Sequence, residues 1–283
     1  MGPTVVMSGD GLELAGLVVL GFAVGTYGTI IGLGGGFVLV PVLLLLYPDY
    51  EPERVTAVSL AVVCASTISG SIAYARQRRI DYVTGLIFAA ASAPGVIAGV
   101  FLVNLLPERA FTLALAVLFL GMAGLALRGP PRGVRPPLRG RGVIVRELDA
   151  PEGKYRYGYT LWQGIVLSLA VGLISSLFGI GGGAIHVPAM ISLLHVPVQF
   201  AVATSQFILA FMSGGGSIIH MANGTLSGNQ LAKTAALAAG TVPGAQLGAF
   251  FARQMKPRTT VRLLVAALLL LSGRLLIKGV VGE

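Results

Sequence analysis

Charge is scarce in this chain: only 11% of its 283 residues are charged, against about 25% in a soluble domain. So few charges cannot cover a water-facing surface, so much of the surface faces something else. Cysteine is nearly absent. Cys64 stands alone in an apolar run, which excludes a disulfide within the chain and a zinc cluster. The histidines are His186, His195 and His220, and no H-E-x-x-H occurs, so no metal, cofactor or catalytic residue is expected. Acidic side chains are missing from the middle of every apolar run; Asp10, Glu13, Asp49, Glu51, Glu53, Asp81, Glu108, Glu147, Asp149, Glu152 and Glu283 lie in loops or at segment edges. A cation carrier usually places a carboxylate at mid-membrane, whereas an anion carrier gains from having none. The N-terminal stretch carries Asp10 and Glu13 instead of the basic region of a cleaved signal peptide, so its apolar run is expected to stay as a membrane segment.

What is abundant is apolar and small. Hydrophobic residues make up 55% of the chain and glycines number 40, with a mean hydropathy of +0.84. Crossing a hydrocarbon core of about 30 Å takes roughly 20 helical residues. Apolar runs fall near 12–31, 36–47, 55–75, 82–104 and 109–127, then near 160–178, 183–195, 199–221, 229–251 and 259–278. The second run of each set is too short to span alone and follows a glycine cluster. Residues 128–158 differ abruptly: Gly129-Pro130-Pro131, Pro136-Pro137, and Arg128, Arg132, Arg135, Arg139, Arg141, Arg146, Lys154 and Arg156 predict an extended, solvated loop. Trp162 with Tyr155, Tyr157 and Tyr159, where this loop re-enters the lipid, reads as an interfacial aromatic belt.

The chain repeats itself. Gly32-Leu33-Gly34-Gly35-Gly36 followed by Phe37-Val38-Leu39-Val40-Pro41 matches Gly179-Ile180-Gly181-Gly182-Gly183 followed by Ala184-Ile185-His186-Val187-Pro188, at an offset of 147 residues. Ala57-Val58-Ser59 then matches Ala203-Thr204-Ser205, Gly70-Ser71-Ile72 matches Gly216-Ser217-Ile218, and Pro94-Gly95 with Gly99 matches Pro243-Gly244 with Gly248. Several matches in one order at nearly one offset indicate duplication. The division is therefore a first membrane repeat over 1–127, a basic Pro/Gly-rich linker over 128–158 and a second repeat over 159–283.

Basic residues fix the orientation. The net charge of +9 does not form a helical stripe interleaved with aromatics, which argues against a nucleic-acid partner. With the linker cytoplasmic, Arg76, Arg78, Arg79, Arg253, Lys256 and Arg258 fall on the same side, while Arg54, Arg109, Arg274 and Lys278 fall opposite. The positive-inside rule then puts both termini outside. An odd number of segments per half makes the halves antiparallel, and this parity holds whether the first two segments of each half span fully or form a re-entrant hairpin. The expected fold class is an all-α polytopic membrane protein: an inverted-repeat helical bundle, about five segments per half, each half with a short glycine-capped half-helix.

The candidate substrate site follows from the glycines. A helix start leaves about four N–H groups unpaired and carries partial positive charge. Gly34, Gly35, Gly36, Gly181, Gly182 and Gly183 let a ligand approach those groups. Two such starts meeting near the midplane are expected to form a polar pocket for a small anion. Ser59, Thr204, Ser205 and Gln206 offer hydroxyl and amide donors; the rival reading of each hydroxyl is a bond to its own helix. His186 is a candidate carrier of a coupling proton, with a packing role as the rival, since Leu39 takes its place in the first half. Lys233 reads as a residue snorkelling to the outer interface, or as an attractor of anions. Gly95, Gly99, Gly240, Gly244 and Gly248 read as helix-packing positions.

The paired G-x-G-G-G-x-x-x-x-P motifs, Gly32 to Pro41 and Gly179 to Pro188, resemble the TauE/SafE family of sulfite and organosulfonate exporters; the resemblance runs from about Gly25 to Leu276 and omits the linker. Ala203-Thr204-Ser205 also resembles the family's pattern, and Ala57-Val58-Ser59 departs from it by a valine. The resemblance implies an inner-membrane carrier for small sulfur-containing anions such as sulfite, sulfoacetate, sulfolactate or thiosulfate. A channel for the same ions and, less favoured, a membrane-embedded enzyme remain the alternatives.

Overall fold

Inside lipid, a spanning segment must satisfy its own backbone polar groups, which a helix does. The computed structural model describes residues 7–127, 142–150, 153–226 and 228–281. The first half holds α1 (Met7–Ile30), α2 (Gly36–Leu46), α3 (Pro52–Arg76), α4 (Tyr82–Leu102) and α5 (Glu108–Leu127). A two-stranded antiparallel hairpin follows, β1 (Val143–Ala150) and β2 (Gly153–Thr160). The second half holds α6 (Leu161–Phe178), α7 (Gly183–Ser192), α8 (Val198–Ala222), α9 (Asn229–Gln254) and α10 (Pro257–Val281). Among the described residues, eight helices are long and apolar enough to cross a membrane, and the chain is a multi-pass integral membrane protein. The 11 residues of α2 and the 10 of α7 reach only about 15 Å, half of a bilayer core.

Packing turns a soluble fold inside out. Leu12, Ile97, Phe101, Val117, Leu270 and Ile277 are exposed, whereas Thr56, Ser59, Ser66, Thr67, Thr204, Ser205 and Gln206 are buried. α1 packs along α9 and α6 along α4, while α3 pairs with α8 and α5 with α10. The first two pairings are made through glycine. A methyl group on Gly240 or Gly244 would overlap the backbone of Val18 or Phe22, and one on Gly95 or Gly99 that of Leu169 or Leu173. Backbones this close gain dispersion contact that bulkier residues would forbid.

The half-helices diverge from the centre. Lys278 Nζ donates to the Leu44 carbonyl at 2.7 Å and pairs with Glu108 at 3.2 Å, so α2 ends beside the start of α5. Ser192 Oγ donates to the Leu125 carbonyl at 3.3 Å, so α7 ends beside the end of α5. α2 also returns to the side where α1 begins: Tyr47 Oη donates to Glu13 at 2.5 Å, and Lys233 Nζ joins the same carboxylate at 2.7 Å while lying 4.0 Å from the Tyr47 ring centre. α1 and α2 thus form a helical hairpin whose two ends lie close together, and Lys233 is held there by a carboxylate and a ring.

The linker needs correction where it is described. Residues 143–150 and 153–158, expected as solvated loop, form the greater part of the β-hairpin; Arg128, Arg132, Arg135, Arg139 and Arg141 lie outside the described residues. Ile144, Arg146 and Leu148 stand opposite Tyr159, Tyr157 and Tyr155, so one face of the hairpin is aromatic and docks on the helices. Tyr157 and Tyr159 are buried, not interfacial, and only Trp162 remains largely exposed. Asp81, the N-cap of α4, receives Arg146 at 2.9–3.2 Å, Tyr157 Oη at 2.6 Å and Thr84 Oγ1 at 2.8 Å. Tyr159 Oη donates to Thr84 Oγ1 at 3.1 Å. Burial alone would raise the Asp81 carboxyl, but the bonds from Arg146, Tyr157 and Thr84 outweigh it and hold the group below its ordinary value. Burial, reinforced by the Asp81 charge, pushes the Tyr157 phenol up, so it stays a donor.

Candidate functional site

Two glycine turns meet where α2 and α7 begin. Gly35 and Gly182 are the N-caps, with φ of 93° and 82° and no side-chain cap. That left-handed geometry is strained for any residue with a Cβ. The turns touch through their backbones: a methyl on Gly36 would lie 2.8 Å from the Ile180 carbonyl, and one on Gly183 would overlap the Leu33 backbone. All six predicted glycines are therefore gathered at one point.

Backbone hydrogen bonding starts late in both half-helices. Val38 and Leu39 donate to the Gly35 carbonyl, and Ile185 and His186 to that of Gly182. Ahead of them, the N–H groups of Gly34, Gly35, Gly36 and Phe37, and of Gly181, Gly182, Gly183 and Ala184, have no hydrogen-bond acceptor among the described residues. Every residue over 31–37 and 175–191 is buried. Eight donors left unpaired this deep are costly, and each invites an acceptor.

The open polar pocket expected from the sequence is closed in this conformation. Methyl groups of Val63 lie close to Gly34, Gly36 and Gly181, and Leu209 to Gly34 and Gly181. The cavities of about 540 and 500 Å³ lie away from the turns, one lined by Asp49, Glu51 and, at the start of α5, Glu108, the other between α5 and α10. Close packing wins here because backbone contact between the turns leaves only aliphatic gaps, which side chains fill.

The other predicted residues are divided by the structure. Ser59 Oγ donates to the Gly179 carbonyl at 2.7 Å and ties α3 to the entry of the second turn. Ser205 is buried with its hydroxyl unpartnered. The Gln206 amide reaches the Gly28 carbonyl at a long 3.5 Å, and its oxygen has no partner. Thr204 is drawn elsewhere: its hydroxyl accepts from the Asp81 backbone N–H at 3.0 Å, at the hairpin end of the bundle. His186 stacks on Phe88 with ring centres 6.2 Å apart and meets Ser168 Oγ at 3.4 Å; its Nδ1 is unpartnered. Sequence reasoning missed Thr29, Ser175 and Ser176, buried hydroxyls without partners on the last turns of α1 and α6. Ser175 Oγ lies 3.2 Å from where a Gly182 Cβ would stand. The available signal was their place, three or four residues before Gly32 and Gly179 in otherwise apolar runs. Among the described residues, no group of three or more His, Cys, Asp or Glu side chains is gathered for a metal ion.

Comparison with known proteins adds to this geometry. The profile of the family described as Sulfite exporter TauE/SafE matches residues 17–276. The chain is 35% identical over 272 residues to "Probable membrane transporter protein YunE" of Bacillus subtilis, covering 93% of this chain and 97% of that protein. It is 26% identical over 214 residues to "Probable membrane transporter protein MJ0441" of Methanocaldococcus jannaschii, covering 74% and 73%. "Probable membrane transporter protein YdhB" of Bacillus subtilis is 25% identical over 241 residues, covering 84% and 90%. These names describe transporters, not enzymes. No solved structure matches.

Proposed function

The chain belongs to the TauE/SafE family of membrane transporters, and on that premise we propose that it is a secondary transporter moving a small sulfur-containing oxyanion, such as sulfite, a sulfonate or thiosulfate, across the inner membrane by alternating access. The observation that carries this reading is the set of eight unpaired N–H groups at the two facing helix starts. A compact oxyanion offers several acceptors at once and suits two converging partial positive charges. Unpartnered hydroxyls of Ser175 and Ser205 stand ready to donate, and the carbonyl oxygen of Gln206 suits a protonated oxyanion such as bisulfite. Within this reading the linker is cytoplasmic and both termini are outside.

Residues 1–127 and 159–283 form an inverted pair in this proposal. Two features support it: α2 and α7 run from a shared centre to opposite ends of α5, and the α1–α9 pairing has its counterpart in α6–α4. The anion enters when Val63 and Leu209 withdraw from the glycine turns. That requirement favours a carrier over a channel, because a closed centre must reopen for each ion. His186 packs on Phe88 and holds Ser168, so it acts through α7 and not on the anion.

Reconstitution in proteoliposomes with radiolabelled sulfite, sulfonates and thiosulfate tests the proposal. Saturable uptake that is lost in Gly182→Leu is expected. Flux that rises linearly with concentration favours a channel, and no movement of any of these anions removes the substrate class.

A further inference from the structure

The cavity of about 500 Å³ between α5 and α10 is lined by Ala126 and Leu127 of α5, Val198 at the start of α8, and Val261, Val265, Ala266 and Leu269 of α10. Among the described residues, the charged ones lining it are Arg258 and Arg262. These lie four residues apart, hence on one face of the helix, and neither takes part in a side-chain ion pair or hydrogen bond among the described residues. We propose that this groove seats one anionic phospholipid, its phosphate held by Arg258 and Arg262 and one acyl chain lying along α10.

Depth and charge both favour a lipid over other occupants. From Arg258 to Leu269 the helix rises about 16 Å, close to the roughly 15 Å of one hydrocarbon leaflet. The arginines stand on the first two turns of α10, where the chain leaves the bilayer, and the apolar wall runs inward from them. The helix start adds partial positive charge beside the guanidinium groups. Among the described residues, no carboxylate lines the groove to neutralise them. Basic pockets between membrane helices at the cytoplasmic face recognise anionic head groups in this way. That the leaflet is the inner one follows from the orientation proposed above; the seat itself does not depend on which anion is carried.

The seat lies on a seam. α5 and α10 pack on each other, α7 ends against α5 at Leu125, and α8 begins at the groove with Val198. A lipid held there touches the α5–α10 pair and the start of α8, one turn from the Leu125 carbonyl on which α7 ends. Anionic lipid should therefore change how readily the α5–α10 pair moves against α7 and α8, not the affinity for the transported anion.

Native mass spectrometry of the detergent-solubilised chain with added phosphatidylglycerol or phosphatidylcholine tests the seat without any transport substrate. The wild type should retain phosphatidylglycerol with a preference of about thirtyfold, equivalent to about 2 kcal/mol for two arginines near a charged surface. Arg258→Gln with Arg262→Gln should abolish that preference, and both side chains are exposed, so the fold should survive. Ala266→Phe, which fills the groove and keeps the arginines, should weaken retention of phosphatidylglycerol. Equal retention of both lipids, or a preference that persists in the double variant, overturns the proposal. Full displacement by inorganic phosphate also overturns it, since an anion site without an acyl seat would then suffice. If sulfur oxyanions prove not to be carried, these lipid measurements stand unaffected.

Discussion

At the first glycine turn, Gly28 leaves the Gly35 nitrogen bare, and a methyl group there would overlap it; at the corresponding place in the second turn, Ser175 brings a hydroxyl beside Gly182. His186 stands where the first half has Leu39, and Gln206 where it has Leu60. Ser59 is spent on the Gly179 carbonyl, whereas Ser205 bonds to nothing. The backbone of the two turns is thus the same and the side chains around them are not. What the two turns share is the pair of amide-rich helix starts; what differs is the polar lining on one side of them.

The largest expected effect tests the shared backbone. Gly183→Ala puts a methyl into the Leu33 backbone and Gly36→Ala one at 2.8 Å from the Ile180 carbonyl. Each should destabilise by about 1–3 kcal/mol, Gly183 the more, and abolish transport. Gly121→Ala meets open space and should leave the melting temperature unchanged or slightly raised. Equal melting temperatures for all three would break the claim of close approach.

Next in size is the hairpin lock, which has no counterpart strand pair among the described residues on the opposite face. Asp81→Asn should cost about 2 kcal/mol, below the 3–5 of a fully buried pair because the Arg146 side chain is 25% exposed. Asp81 is held below its ordinary value by Arg146, Tyr157 and Thr84 against the opposing effect of burial. Its contribution is therefore complete above about pH 4 and is lost as the pH falls through the lowered value. Trp162, the single tryptophan, lies just past β2; its fluorescence should shift on acidification below pH 4 and already be shifted at neutral pH in Asp81→Asn.

The smaller effects separate the two serines and the histidine. Ser59→Ala should lower stability by about 1 kcal/mol, the net worth of one buried hydrogen bond. Ser205→Ala should leave stability unchanged and reduce anion affinity, measured by uptake kinetics. His186→Leu restores the residue type of the first half and removes an unpartnered ring nitrogen; transport within about threefold of wild type is expected. A collapse of transport with stability intact would instead give His186 a role in moving protons.

Much of this arrangement is legible in the sequence because glycine and proline punctuate it. The triple glycines, Pro41 and Pro188 mark the half-helices, and the match of Pro94 with Pro243 aligns the helices that pack on α6 and α1. Arginine and proline hid the hairpin. Beside Pro130, Pro131, Pro136 and Pro137, the alternation of Tyr155, Tyr157 and Tyr159, and of Ile144, Arg146 and Leu148, reads as loop, although its period of two is the mark of a strand. Thr204 illustrates a second limit. It sits beside Ser205 in sequence, but consecutive helical residues point about 100° apart, and its hydroxyl serves the α3–α4 loop instead of the glycine turns.

The contact between the glycine turns has a kinetic corollary. Peptide plane meets peptide plane there, with no interlocking rotamers to disengage between Gly36 and Ile180 or between Leu33 and Gly183. Such a joint can swivel with little friction once Val63 and Leu209 have moved aside. Part of the barrier to turning over should then reside at the rim, in the ties among Glu13, Lys233 and Tyr47 and among Asp81, Arg146 and Tyr157, so loosening those ties should change the speed of the cycle even with the hub untouched.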